Sequence, residues 1–174
     1  MSRLESFIRR LEAQKRCLDH ATSLIAKMPG HVLEIGLGNG RTYDHLRHRL
    51  SERAIYAFDR RNNAHPECVP PENYLVLGEF SDTLPKFAAK HGALAALAHC
   101  DTGSGDVAAN ARQAGWLGPV LLTLVRPMGF VLSDQQLTAQ GLVPLPMPTG
   151  VKPGRYYLYQ CTGAKPRRRS SRRL

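Results

Sequence analysis

Apolar residues recur at helical spacing through the first 28 positions of the chain, at Leu4, Phe7, Ile8, Leu11, Leu18, Ile25 and Met28. Ser2 and Glu5 have the spacing of a capping box, in which two side chains bind the free backbone N–H groups at the start of a helix. Pro29 and Gly30 then interrupt the pattern. The sequence therefore predicts one long N-terminal helix over residues 1–28.

From residue 31 to residue 99, short apolar runs alternate with stretches of helical periodicity. The β-like runs are VLEI, AIYAF, YLVLGEF and ALAALAH, and the helical stretches cover about 41–50 and Asp82–Lys90. This alternation is typical of a parallel sheet with helices on both faces. It predicts an α/β fold in three layers, with the order αβα.

The run VLLTLV, residues 120–125, fits both a buried strand and the apolar face of a helix, because periodicity does not separate the two. The RPMG that follows has the composition of a turn, and the FVLS after it is short enough for a strand. We therefore predict a helix over 119–126 and a fifth strand over 129–133.

The last two apolar runs, LVPLP and RYYLYQC, are separated by PTGVKPG, whose prolines and glycines favour a connection between antiparallel strands. We predict that the core ends in an antiparallel hairpin. Together with the five earlier strands, this hairpin completes a doubly wound, mostly parallel sheet of seven strands.

A chain of 174 residues with 43% apolar residues has the size of one domain. Its four cysteines are scattered without metal-binding spacing, which favours reduced thiols in a cytoplasmic protein. We expect neither a signal peptide nor a membrane span, because charges interrupt the N-terminal pattern and every apolar run is short. The predicted organisation is a helix over 1–28 that covers the functional site, a core domain over 29–162 and a basic tail over 163–174.

The net charge of +10 is concentrated at the C-terminus. The last ten residues, KPRRRSSRRL, contain six basic residues and no acidic residue. Such a composition is typical of a solvated, disordered terminus, although its charge also suits a weak contact with nucleic acid. No aromatic residue alternates with these arginines to stack on bases, which favours the disordered tail.

Three glycines alternate directly after the first predicted strand, in the stretch HVLEIGLGNGR. Gly36, Gly38 and Gly40 permit a sharp turn and a close approach of a ligand to the backbone. The dinucleotide pattern G-x-G-x-x-G would need a glycine at the position of Arg41. The chain instead has E-x-G-x-G-x-G, beginning at Glu34, and here it resembles the class I S-adenosylmethionine-dependent methyltransferases.

The resemblance continues through later segments in the order typical of that family. It implies that Asp59, which ends the second strand beside Arg60, binds the ribose hydroxyls of the cofactor. It also implies that Glu79 and Phe80 lie near the adenine and that Asp101 lies beside the transferable methyl group. RPMG is similar to the Pro-Gly-Gly turn before the family's fifth strand, and DTGSGD and GRYYLY are similar to segments of small bacterial single-domain members. The implied fold is Rossmann-like, with S-adenosylmethionine as the cofactor and S-adenosylhomocysteine as the product. The implied cofactor-binding set also includes Glu34 and the three glycines.

Methyl transfer from a sulfonium depends mainly on in-line alignment and on the exclusion of water. A hydroxyl acceptor must also lose its proton, and Asp101 is the best placed base by sequence. LVRPMGFVLSDQ resembles a stretch of the magnesium-dependent catechol-type O-methyltransferases, which slightly favours O-methylation. That resemblance implies Asp101, Asp134 and Gln135 as Mg²⁺ ligands. We favour the alternative that no metal binds and that Asp134 caps the next helix.

Additions to this kind of core recognise the substrate, and here they are the N-terminal helix, the 60–73 loop and the 147–155 connection. Because these additions are small, we expect a small-molecule acceptor. The alternatives are a protein that binds S-adenosylmethionine without turnover, or one that associates with RNA through its basic tail. An NAD-dependent oxidoreductase is less favoured. The sequence is compatible with a homo-oligomer.

Overall fold

The computed structural model describes residues 2–162. The basic tail over 163–174 lies outside the described residues, so its predicted disorder and its contact with nucleic acid stay predictions. The helices are α1 (Arg3–Leu24), α2 (Arg41–Arg49), α3 (Phe80–His91) and α4 (Val107–Leu121). The strands are β1 (Val32–Ile35), β2 (Ile55–Asp59), β3 (Leu75–Leu77), β4 (Ala95–Cys100), β5 (Val125–Ser133), β6 (Leu142–Leu145) and β7 (Tyr157–Cys161).

The strands form one sheet of seven, in the order β3-β2-β1-β4-β5-β7-β6. The first five run parallel to one another, and β7 lies antiparallel between β5 and β6. This arrangement confirms the predicted mostly parallel sheet with its antiparallel end. The chain winds in opposite directions from β1 and from β4, and such a switch point opens a crevice at the carboxyl ends of the strands.

Apolar side chains are buried on both faces of the sheet, which confirms the three-layer αβα architecture. On one face, α3 and α4 contribute Leu84, Phe87 and Leu121 to a cluster around the sheet. On the other face, α1 and α2 contribute Leu18 and Leu46. The site at the carboxyl edge therefore stands on a sheet that is packed on both sides.

The N-terminal helix has the predicted cap but ends early. The Glu5 carboxylate accepts a hydrogen bond from the Ser2 N–H, and the Ser2 hydroxyl accepts one from the Glu5 N–H. The helix stops at Leu24, so the predicted end at residue 28 is wrong. Residues 25–31 are needed to reverse the direction of the chain between α1 and β1. Gly30 is required in this connection, because its φ is 123° and a Cβ there would lie 2.2 Å from the Leu94 carbonyl oxygen.

The predictions for the region before β5 are partly wrong. Helix α4 ends at Leu121, and β5 already begins at Val125, so RPMG lies within a strand. Ala95 pairs with Val125, but Leu97 pairs with Phe130, which means that β5 carries extra residues in a bulge between the two pairs. The proline and glycine therefore mark a bulge, where Met128 adopts a positive φ of 67°.

None of the helices over residues 2–162 is both long and apolar enough to cross a membrane. The four cysteines are free thiols, and three of them are buried.

Candidate active site

The three glycines between β1 and α2 all have positive φ angles, of 94° at Gly36, 54° at Gly38 and 85° at Gly40. A Cβ at Gly36 would lie 2.3 Å from the Asp101 carbonyl oxygen, and one at Gly40 would lie 2.6 Å from the Cβ of Cys68. A Cβ at Gly38 would meet no atom within 4 Å. Two glycines are thus required by the protein's own packing, while Gly38 leaves open space of the kind that a ligand needs.

Asp59 lies at the end of β2, the strand adjacent to β1, and its side chain reaches the glycine loop. The Gly38 N–H donates a hydrogen bond to Asp59 Oδ2 over 2.8 Å. The second carboxylate oxygen is 3.4 Å from the Arg61 N–H. The structure therefore brings together two elements of the predicted site that are 21 residues apart.

Asp101 follows β4 and faces the N-terminal helix. Gln14 Nε2 donates a hydrogen bond to Asp101 Oδ2 over 2.7 Å, and the Arg10 guanidinium lies 3.6 Å from Oδ1. Helix α1 is therefore fastened over the carboxyl end of β4 by two side chains one helical turn apart.

A cavity of about 210 Å³, which we call the glycine cavity, lies between α1 and the glycine loop. It is lined mainly by Phe7, Arg10, Leu11, Gln14, the 36–42 segment and Asp101. The Arg41 guanidinium lies 6.0 Å from the centre of the Phe7 ring. The cavity thus has a carboxylate beside cations, which suits a ligand part that carries both an ammonium and a carboxylate.

A second cavity of about 360 Å³, which we call the aromatic cavity, lies between the start of α3 and α4. Arg60, Glu79 and Phe80 line it, so the structure brings these three predicted residues together. Trp116 and Asn110 stand on the α4 side. Aromatic faces with a few polar groups are the surroundings that a purine base needs.

Glu34 is placed differently from the other predicted residues, because its side chain is fully buried beneath the glycine loop. It accepts hydrogen bonds from the Thr42 hydroxyl and from the ring of His99, whose Nδ1 lies 2.7 Å from Glu34 Oε2. Burial acts to lower the pKa of His99, but the charge of Glu34 and its hydrogen bond outweigh this, so that the pKa is raised. These hydrogen bonds therefore connect β1, β4 and α2 below the loop.

A third cavity of about 230 Å³, which we call the polar cavity, opens beside Arg10 on the β5 side of the site. Its walls include Gly103, Ser104, Asp134, Gln135 and Tyr156. The Asp134 carboxylate accepts hydrogen bonds from the backbone N–H groups of Gly103, over 2.8 Å, and of Thr102, over 3.2 Å. Burial and the charge of Asp101 raise the pKa of Asp134.

The residues considered for magnesium are not arranged to bind it. Both Asp134 oxygens accept hydrogen bonds from backbone N–H groups. The Gln135 side chain turns its Nε2, rather than its oxygen, towards Asp134. One oxygen of the Asp101 carboxylate accepts a hydrogen bond from Gln14. Within residues 2–162, no group of three His, Cys, Asp or Glu side chains is placed to hold a metal. The prediction that Asp134 caps a helix is wrong, because the next described element is a strand.

Sequence reasoning missed Arg10, Gln14, His99 and Tyr156 as members of the site. Arg10 and Gln14 are four residues apart on α1, and Gln14 is 7% exposed, between the buried Ala13 and Cys17. A polar residue inside an apolar stripe was the available signal for Gln14. His99 gave none, because its partner Glu34 lies 65 residues away in sequence.

Comparisons with known proteins agree with this geometry. The model of a family described as S-adenosyl-L-methionine methyltransferase matches residues 1–161, and the chain belongs to that family. No functionally curated protein matches the chain. Among solved structures, an S-adenosyl-L-methionine methyl transferase from Silicibacter pomeroyi DSS-3 is 40% identical, with a TM-score of 0.87. That match covers 92% of this chain and 99% of the other.

Two more distant structures show the fold alone. An O-methyltransferase family protein from Burkholderia thailandensis is 12% identical, with a TM-score of 0.53, and the match covers 86% of this chain and 55% of that chain. The MycE methyltransferase from the mycinamycin biosynthetic pathway, in complex with Mg and SAH, is 13% identical, with a TM-score of 0.52. Its match covers 88% of this chain and 49% of that chain.

The protein is therefore an S-adenosylmethionine-dependent methyltransferase, with S-adenosylmethionine as its cofactor and S-adenosylhomocysteine as the product. The oxidoreductase alternative finds no support in these comparisons. The described residues fit the cofactor, since Gly38 leaves space beside its backbone and residues of the 101–104 segment line both the glycine cavity and the aromatic cavity.

Proposed function

We propose that the protein methylates an oxygen atom of a small molecule that binds in the polar cavity. The observation that carries this proposal is the partly buried carboxyl of Asp134, which faces that cavity and has a raised pKa. A hydroxyl acceptor has to lose a proton, whereas a neutral amine or a thiolate does not need a base. A carboxyl whose pKa is shifted towards neutrality is a better proton acceptor than an ordinary one.

The size of the polar cavity supports a small acceptor. Its volume of about 230 Å³ exceeds the roughly 150 Å³ that holds a benzene molecule, so a small acceptor group fits in it. Arg10 and Arg155 also line this cavity, so its wall carries two cations.

Asp101 and Asp134 have separate roles in methyl transfer. When bound, the cofactor supplies an activated methyl group on a sulfonium, which requires alignment rather than covalent catalysis. Asp101 binds the cofactor's amino-acid part and, through Gln14 and Arg10, keeps α1 closed over it. Asp134 takes the proton of the acceptor hydroxyl on a carboxylate oxygen. We therefore propose Asp134, rather than Asp101, as the base.

The test is methyl transfer to compounds of matched size that carry a hydroxyl, an amine or a thiol, with mass spectrometry of the products. We expect methylated hydroxyl compounds, and we expect kcat to rise with pH as Asp134 loses its proton. Asp134→Asn should lower kcat by roughly 10²-fold or more and remove this pH dependence. The exposed Asp82 provides the control, because Asp82→Asn should leave both unchanged.

Methylation of the amine or the thiol alone would contradict O-methylation. An Asp134→Asn variant with unchanged kcat and an unchanged pH profile would remove Asp134 as the base.

A further inference from the structure

A larger cavity adjoins the polar cavity, at the same edge of the sheet. It has a volume of about 530 Å³ and lies between the 136–139 segment, β6, the connection to β7 and the start of β7. We call it the apolar chamber, and its walls include Leu137, Pro144, Leu145, Met147, Val151 and Pro153. Its volume falls within the usual range for sites that bind small molecules, roughly 300–1,000 Å³.

Gly154 and Tyr156 line both the polar cavity and the apolar chamber, so the two spaces lie next to each other at these residues. These residues lie where β7 begins, next to the carboxyl end of β5, since Tyr157 pairs with Ser133. A ligand with its reactive group in the polar cavity therefore has the apolar chamber as the adjoining space for the rest of its body.

Tyr156 supplies the second observation. Its side chain is only 3% exposed, and its hydroxyl has no hydrogen-bond partner among the described residues. Burial and the nearby charges of Asp101 and Asp134 raise the pKa of Tyr156, so the hydroxyl keeps its proton and is available as a donor. Buried hydroxyls in proteins are normally hydrogen-bonded, and Tyr156, which lines both cavities, has an unpaired hydroxyl that a ligand atom would satisfy.

We infer that the two cavities form one acceptor site for a molecule with a hydroxyl-bearing head and an uncharged, apolar aryl or alkyl body. The head lies between Asp134 and Tyr156, and the body occupies the apolar chamber. Tyr156 donates a hydrogen bond to the oxygen of the head and determines specificity for it. This inference rests on the proposed function, because it takes the polar cavity as the place of methyl transfer.

The experiment is an equilibrium titration of the protein, saturated with S-adenosylhomocysteine, with phenol and its 4-ethyl, 4-butyl and 4-hexyl derivatives. Transfer of one CH₂ group into an apolar site increases affinity by about fourfold, so we expect affinity to rise by that factor per CH₂ until the chamber is filled. Because this measurement uses the wild-type protein and no turnover, it depends neither on a variant that folds nor on catalysis.

Two variants separate the contribution of the apolar chamber to affinity from that of the Tyr156 hydroxyl. Val151→Asp places a charge on the partly buried wall of the apolar chamber and should remove the dependence on chain length. Tyr156→Phe should weaken every member of the series by the same factor, roughly three- to tenfold, since only the head loses a hydrogen bond. Tyr74→Phe is the matched control, because Tyr74 packs against Tyr56 on the other side of the sheet's centre, and it should change nothing.

Affinity that is independent of chain length, or that Val151→Asp leaves unchanged, would overturn the apolar chamber as a binding site. Unchanged affinity in Tyr156→Phe would overturn the role of Tyr156. The failure of the proposed function has a different signature, since methylation of 4-butylaniline but not of 4-butylphenol would refute O-methylation while the dependence on chain length persisted.

Discussion

The carboxylate of Asp59 accepts a hydrogen bond from the backbone N–H of Gly38, with 2.8 Å between nitrogen and oxygen. This contact joins the end of β2 to Gly38, the one of the three loop glycines at which an added Cβ would meet no described atom within 4 Å. The side chain expected to bind the cofactor's ribose is therefore already fixed next to the free space that the cofactor needs.

Replacement of Asp59 by Ala should weaken the binding of S-adenosylhomocysteine by about 1–3 kcal/mol, because the ribose loses charge-assisted hydrogen bonds. Calorimetric titration measures the change. Glu72→Ala, at an exposed site before β3, provides the control. An unaltered affinity of Asp59→Ala would mean that β2 does not contribute to the cofactor site.

Alanine substitutions at Gly38 and Gly40 should have different consequences. Both positions have a positive φ, so each substitution should cost about 1–3 kcal/mol of folding free energy from backbone strain. Gly40→Ala should lose more stability, because its Cβ would collide with Cys68. Gly38→Ala should fold but bind S-adenosylhomocysteine at least tenfold more weakly. Urea denaturation and titration separate the two effects, and wild-type binding by Gly38→Ala would show that the cofactor does not approach that residue.

Arg10 should hold the carboxylate of the cofactor's amino-acid part, because it lines the glycine cavity beside Asp101. Since the Arg10 side chain is half exposed, Arg10→Gln should weaken the binding of S-adenosylhomocysteine by only about 0.5–1.5 kcal/mol. The same variant should bind 5′-methylthioadenosine, which lacks the amino-acid part, as the wild type does. Arg9→Gln, on the exposed side of α1, is the control. Equal losses for both ligands would contradict this role.

His99 should make stability depend on pH. Its pKa is raised in the folded protein, so the pair with Glu34 contributes its full stability below the unfolded value of about 6.5 and loses it as pH rises through the folded pKa. His99→Gln should destabilise the fold by about 3–5 kcal/mol and flatten this dependence. Urea denaturation between pH 6 and pH 9 measures both effects. His48→Gln, at a side chain that is 70% exposed, should leave the slope intact; a slope that survives in His99→Gln would refute the prediction.

Local patterns were sufficient to predict most of the fold. The run VLEI and the glycines after it specify β1 and its turn, since turn chemistry and burial act over a few residues. The region around β5 was mispredicted because a buried strand and a buried helix face have the same composition. The sequence offers no local sign that Val125 already pairs with Ala95, 30 positions earlier, on the far side of a bulge.

The parts of the site that stayed hidden depend on long-range packing. The resemblance implies that Glu34 binds the cofactor. In the structure, Glu34 is buried beneath the glycine loop and is hydrogen-bonded to His99 on the adjacent strand β4. Gln14 reaches Asp101 across 87 positions of sequence. Tyr156 directly precedes β7, and the absence of a hydrogen-bond partner among residues 2–162 for its buried hydroxyl distinguishes it from Tyr157 and Tyr159.

We expect the cofactor to bind in the crevice between Asp59, Gly38 and Asp101. An electron-density map of crystals grown with S-adenosylhomocysteine tests it most directly. We expect density for the ribose within hydrogen-bond distance of Asp59, for the adenine in the aromatic cavity and for the amino-acid part between Arg10 and Asp101. Density for the ligand elsewhere on the protein, with these residues free of it, would show that the cofactor does not bind in this crevice.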